Sequence, residues 1–248
     1  MLHRVEGIVL RSMDYGEGNK IITLYTREMG KVSVMARGAK KVKSRLGAVT
    51  QLFTFGEYVF YKSGQMGTLN NGELLKSFNK LREDLYKSAY SAYLVELIDR
   101  MSSEEDASAY LFEQLKAGLE AIDEDKDMAI VAHLLEMKLL GSAGYSPELE
   151  ACVSCGSITP RMLFSARLGG VICSSCSYKD QQAIAMSDAT WKLLRLFKRL
   201  DLRRLGAIDV KQSTKDELKS CMRTYMDTHV GIRFKSRSFL EQMEKYDI

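Results

Sequence analysis

The sequence predicts an α+β fold: a small β-barrel, then an α-helical body with a cysteine-rich insertion inside it. Three observations predict this. The hydrophobic period changes from two to about four near Leu81, the apolar runs before that point are strand-length and punctuated by glycine, and four of the five cysteines fall in two Cys-x-x-Cys pairs between residues 152 and 176. At 248 residues the chain exceeds what one core requires, so several small units are expected. The boundaries read as a barrel over residues 1–80, a first helical part over 81–147, an insertion over 148–180 and a second helical part over 181–248.

In the first eighty residues Gly7 to Leu10 is a compact apolar run, and Ile21 to Thr26 is rich in β-branched residues. Lys31 to Ala36 alternates strictly, with Val32, Val34 and Ala36 on one face. Glu28-Met29-Gly30 supplies a hairpin turn whose glycine can take a positive φ. Glu57 to Lys62 and the stretch from Leu69 to Phe78 complete five strands, with Asn71-Gly72 readable either as a tight turn or as a bulge. Five strands in this length is the size of an OB-type barrel, a five-stranded Greek-key barrel.

From Leu81, the residues Leu85, Ala89, Tyr93, Leu97 and Met101 recur at i+4, as in a helix with one buried face. Leu111, Leu115, Leu119 and Ile122 repeat the pattern, and Ile130, Val131, Leu134, Leu135 and Met137 do so again. Ser187 reads as the N-cap of a helix carrying Trp191, Leu194 and Phe197. Ser213-Thr214-Lys215-Asp216 reads as a capping box opening a helix with Leu218, Cys221, Met222 and Tyr225 inward. Cys221 is thereby a small buried hydrophobe, not a ligand.

The pairs Cys152/Cys155 and Cys173/Cys176 are separated by seventeen residues, a spacing at which two knuckle turns close on one ion. Four thiolates in a tetrahedron suit one structural Zn²⁺ and leave no position for a reactive water. An iron–sulfur cluster takes the same four donors. Gly156 and Gly169-Gly170 sit where such turns need positions without a Cβ.

The net charge of +4 hides a segregation. Residues 1–80 hold 13 Lys/Arg against 6 Asp/Glu, residues 81–150 hold 6 against 16, and residues 151–248 hold 17 against 10. Two basic ends flank an acidic middle, and the first end contains Arg37, Lys40, Lys41, Lys43 and Arg45, five cations in nine residues beside Gly38. That density fits phosphate neutralisation, with Arg11 and Lys20 extending the surface. Tyr25, Tyr58, Phe60 and Tyr61 lie on strands where bases could stack, although Phe60 fits a barrel core better.

His3, His133 and His229 are scattered, no Gly-x-x-x-x-Gly-Lys-Ser/Thr loop is present, and Gly16-Glu17-Gly18 lacks a third glycine. These absences predict a protein that is not an enzyme. No apolar run approaches a membrane span and the N-terminus has no signal-peptide pattern, so a cytoplasmic protein is expected.

Several stretches carry a family resemblance: Gly7-Ile8-Val9-Leu10-Arg11, Asp14-Tyr15-Gly16-Glu17, Leu24-Tyr25-Thr26, Gly38-Ala39-Lys40-Lys41 with Ser44-Arg45, and Leu81-Arg82-Glu83-Asp84-Leu85. With the two cysteine pairs and Lys235-Ser236-Arg237-Ser238-Phe239-Leu240, they resemble the bacterial DNA repair and recombination mediator family RecO over nearly the whole chain. The resemblance implies an OB fold, a helical body and a zinc knuckle that some members lack. It also implies binding of single- and double-stranded DNA at the nucleoid, annealing of complementary strands, and cooperation with RecR in loading RecA onto strands coated by single-stranded-DNA-binding protein (SSB). The DNA-contact role falls on Arg37, Lys40, Lys41, Lys43 and Arg45, and on Arg11 and Lys20. Leu52 stands where the family pattern more often has proline. The alternative class is a zinc-containing, sequence-specific transcriptional regulator, which would read a defined duplex through a helix in the major groove.

Overall fold

The computed structural model describes residues 1–103 and 107–246. The chain divides into two compact units, one formed by Met1–Asp125 with the chain from Phe234 onward, the other by Lys126–Arg233.

The first unit begins with the expected closed five-stranded barrel, ordered β1-β2-β3-β5-β4, built from β1 (Leu2–Tyr15), β2 (Asn19–Thr26), β3 (Gly30–Ala36), β4 (Phe55–Lys62) and β5 (Met66–Lys76). All pairings are antiparallel except β3 with β5, which closes the barrel. Strand β1 is much longer than its apolar centre because it serves two neighbours: Leu2 to Ile8 pair with β4, and Gly7 to Tyr15 pair with β2. A bulge between Val9 and Arg11 bends it from one to the other. The inward residues Val5, Val9, Ile22, Leu24, Val32, Val34, Tyr58, Phe60 and Leu69 form one core.

At the β2–β3 turn Gly30 has φ 65°, and the Thr26 hydroxyl donates to its carbonyl at 2.9 Å while accepting from Met29 N at 3.0 Å. Asn71-Gly72 is part of one long strand and not a turn. Val59 pairs with Asn71 while Phe60 pairs with Leu69, so a residue is bulged out beside it. A Cβ on Gly72 would lie 2.8 Å from Val49 Cγ2, so glycine lets the loop after β3 pack on the strand.

The helix expected from Leu81 onward is two elements. A single turn, α1 (Lys80–Glu83), ends at Asp84, whose extended backbone and side chain cap α2 (Leu85–Met101) by accepting from Lys87 N at 2.8 Å. Leu85 is consequently half exposed and outside the buried face, which starts at Ala89 and continues through Tyr93, Leu97 and Ile98. Next, α3 (Ala109–Asp123) is capped by Ser108 and places Phe112 against Tyr25 and Phe55 of the barrel at centroid distances of 6.3 and 6.2 Å. The last helix, numbered α7 (Lys235–Tyr246), packs on α2. There Glu96 accepts from Lys235 N, Ser236 N and the Ser236 hydroxyl, which satisfies two of the orphan backbone donors of that helix start.

In the second unit α4 (Met128–Ser142), capped by Asp127, is apolar on nearly all sides and is buried against α5 (Asp188–Arg199) and α6 (Gln212–His229). Its one buried ammonium, Lys138, donates to the carbonyls of Phe197 and Lys198 at 2.7 and 3.1 Å, where α5 runs out of internal partners. Ser187 caps α5 as expected. The expected capping box does not form, because α6 begins earlier, at Gln212, and Lys211 precedes it without a side-chain cap. Thr214 is instead buried within the first turn, and Gln212 donates to Asp216 at 2.9 Å across it. Cys221 is fully buried on the apolar face.

Candidate nucleic-acid interface and metal centre

The basic segment after β3 is a chain of hydrogen-bonded turns, not a free loop. Gly38, with φ 68°, lets the chain reverse. Its N–H donates to the Asn19 side chain at 2.9 Å, and Lys40 N donates to Gly18 O at 3.1 Å, which ties the segment to the β1–β2 turn. Further turns close from Lys41 N to Gly38 O and from Ser44 N to Lys41 O, while Ala39 is buried as an anchor. The side chains of Arg37, Lys40, Lys41, Lys43 and Arg45 all remain on the surface. Lys40 is the one with an acidic partner: its Nζ lies 2.8 Å from Asp14, whose carboxyl it holds below the usual carboxylate range. Arg37, Lys41, Lys43 and Arg45 have no ion-pair partner among the described residues, and form a ledge of four available cations.

Arg11 and Lys20 sit on opposite sides of the sheet. Register places Lys20 on the same side as Ile22 and Leu24, at the barrel mouth, where it donates to Ser12 at 3.5 Å. Arg11 stands opposite Thr23 on the outer wall and contacts Asp99 of α2 at 3.2 Å. Lys20 therefore belongs with the ledge and Arg11 with a separate patch.

Most of the aromatics read as stacking candidates are not available to a base. Tyr58 and Phe60 are core, with the Tyr58 hydroxyl donating to Val49 O at 2.9 Å and burial pushing its phenol well above the ordinary range. Tyr25 points outward but is covered by Phe112. Tyr61 alone of the four is half exposed. The outer wall offers others: Tyr15 and Met13 are 52% and 57% exposed, on the same face as Arg11, with Ile21 and Met35 beside them. Their signal was the alternation Arg11, Met13, Tyr15, which became readable only once β1 was known to extend past Leu10.

The cysteines meet through the small sheet of the second unit, ordered β7-β6-β8 from β6 (Met162–Ser165), β7 (Gly170–Cys173) and β8 (Ile184–Ala185). Cys173 ends β7, and Cys176 lies in the 3₁₀ turn Ser174–Lys179 that follows. The other pair is bent by a turn in which Gly156 N donates to Cys152 O at 2.8 Å, with Gly156 at φ 74°. Gly170 has a different task, since a Cβ there would stand 2.2 Å from Glu148 O and prevent the preceding chain from bridging to β7. The four Sγ atoms lie within 4.8 Å of one another, with Cys155 and Cys173 at 3.7 Å. A tetrahedral thiolate site with metal–sulfur bonds of about 2.3 Å has edges of about 3.8 Å, so the cluster has the size to hold a metal ion.

The local electrostatics agree with that fit. Burial opposes a Cys152 thiolate, but N–H groups of Cys173, Ser154 and Cys155 aim at its sulfur and together hold the thiol down to about 6. Cys155 is likewise lowered, first by Ser157. Cys176 is pushed up to about 11: the Ser154 hydroxyl favours its thiolate, but burial and the three neighbouring sulfurs outweigh it. Four sulfurs so close resist holding four negative charges by themselves, and a bound cation removes that repulsion.

A closed OB-type barrel with a cationic ledge, helices around it and a four-cysteine knuckle further along the chain defines the class of barrel proteins with an appended helical, metal-ready body. Residues 1–78 match the family model described as recombination protein O N terminal, and residues 82–238 match that described as recombination protein O C terminal. The chain belongs to the RecO family of DNA repair proteins. It is 44% identical to the DNA repair protein RecO of Halalkalibacterium halodurans over 98% of this chain and 96% of the relative. It is 46% identical to those of Bacillus pumilus and Bacillus subtilis over 98% of this chain and 95% and 96% of theirs. Among the described residues no helix is long and apolar enough to cross a membrane.

Proposed function

We propose that this chain acts as a recombination mediator: it binds single- and double-stranded DNA without strong sequence preference, anneals complementary strands without nucleotide hydrolysis, and works with RecR to load RecA on SSB-coated strands. The observation that carries the DNA-binding part is the ledge of four cations without an ion-pair partner among the described residues, Arg37, Lys41, Lys43 and Arg45, on the same barrel as an exposed outer wall bearing Met13 and Tyr15. Ledge cations neutralise backbone phosphates, and the apolar wall offers π-tolerant contact to unpaired bases. Holding two strands beside one cationic surface screens their mutual repulsion, which is the barrier that annealing must overcome. RecR, RecA and SSB enter through family membership.

Cys152, Cys155, Cys173 and Cys176 would hold one zinc ion. With all four positions taken by protein sulfur, the ion would add folding energy to the small sheet that carries the cysteines and would offer no site for hydrolysis.

The test is fluorescence-monitored annealing of two unrelated pairs of complementary oligonucleotides, without ATP, across a salt series. Comparable acceleration of both pairs that fades with salt supports this reading. Acceleration of neither, or binding of one defined duplex alone, replaces it with the sequence-specific regulator.

A further inference from the structure

The outer wall of the barrel carries a groove of about 540 Å³ lined by three cations, Arg11 of β1, Lys31 of β3 and Lys62 at the end of β4, together with Thr23, Ser33 and Gly64. Two of the three already face an anion. Asp99 of α2 contacts Arg11 Nη2 at 3.2 Å through a single oxygen, while Lys31 Nζ lies 3.9 Å from the same oxygen. Lys31 is held chiefly by the Asp99 main-chain carbonyl, at 2.7 Å. The Asp99 and Lys31 side chains are only 12% and 11% exposed, whereas Arg11 is 53% exposed and Lys62 has no ion-pair partner among the described residues. The carboxylate therefore engages two of the three cations that line the groove. It uses one donor of a guanidinium that can give a bidentate pair.

We propose that this groove is a seat for a backbone phosphate of a DNA strand, and that Asp99 is its built-in competitor. The carboxylate occupies Arg11 until a phosphate, bridging Arg11 and Lys62, takes its place. This rests on the DNA-binding reading above and adds Lys31, Lys62 and Asp99 to it. The device keeps Arg11 paired in the free protein and lowers affinity for a strand, which favours release after annealing. Because Asp99 already neutralises Arg11, a phosphate that takes its place releases no counterion from Arg11, so the wild-type salt dependence under-reports this contact.

The test is fluorescence anisotropy of the full chain with a 20-nucleotide oligothymidylate over a salt series, for wild type, Asp99→Asn, Arg11→Ala, the double variant and Lys62→Ala. Asp99→Asn keeps the main-chain contact to Lys31 and frees Arg11. Its salt slope steepens by about 0.7, which at 0.1 M salt amounts to about fivefold tighter binding relative to a 1 M reference. The gain disappears in the double variant. Lys62→Ala, which breaks no ion pair among the described residues, makes the slope shallower by about 0.7. A parallel or weaker Asp99→Asn titration, a gain that survives loss of Arg11, or an unchanged Lys62→Ala slope overturns the seat while wild-type binding leaves the parent reading intact. Absence of binding by wild type and variants alike removes both.

Discussion

Replacing Arg37, Lys41, Lys43 and Arg45 together by alanine should remove most of the salt-sensitive affinity of the ledge. Each side chain is exposed and none has an ion-pair partner among the described residues, so each is free to release one counterion when a phosphate binds. At about 0.7 per phosphate on a single strand, the four account for about 2.8 of the log–log slope. Raising salt from 50 to 200 mM then costs the wild type about 50-fold more affinity than the quadruple variant. Lys40 is the internal control: it is already engaged by Asp14 at 2.8 Å, so Lys40→Ala alone should move the slope by less than Arg37→Ala alone. The assay is anisotropy of a labelled oligonucleotide, with circular dichroism and thermal unfolding run in parallel. Exposed substitutions of this kind usually change stability by less than about 0.5 kcal/mol. A folded quadruple variant whose slope differs from wild type by less than one phosphate equivalent would refute the assignment of the ledge.

Other predictions concern the frame that holds these surfaces. The purified protein should contain one zinc per chain by elemental analysis; chelation, or Cys152→Ser, should lower the unfolding temperature of the second unit while oligonucleotide binding by the barrel persists, and loss of both together would contradict a scaffold role for the knuckle. Asp84→Ala should destabilise the first unit by about 1 kcal/mol in denaturant titration, because it leaves the start of α2 uncapped. Glu217 accepts from the Thr190 hydroxyl and from Ser187 N and its hydroxyl, and these bonds hold its carboxyl below the ordinary 4.5. Its contribution is therefore complete above about pH 4.5 and is lost as pH falls through the lower folded value, so Glu217→Gln should flatten the acid limb of stability between those limits and an unchanged limb would count against it.

Where period and spacing decide structure, the sequence was readable. The alternation of Val32, Val34 and Ala36 identified β3 and its inward face, Ser187 identified the start of α5, and two Cys-x-x-Cys pairs located the four sulfurs that the fold brings within 4.8 Å. Local pattern was misleading where two signals overlapped. Leu85 continued an i+4 series from Leu81, yet Asp84 offered a better helix start, and capping outweighed periodicity. Tyr58 looked like a stacking aromatic because a strand residue has two possible faces, and only the closed barrel decides which is inside. The pairing of Arg11 with Asp99, 88 residues apart, and the separation of Arg11 from Lys20 across one sheet are tertiary facts with no local signature.

Photocrosslinking of a single strand carrying 5-bromodeoxyuridine, followed by mapping of the adduct-bearing peptides, tests most directly that the strand lies on the barrel. The account predicts adducts on the peptides containing Met13 and Tyr15 and on those containing Met35 to Arg45. Adducts confined to α5 and α6, with none on the barrel, would contradict it.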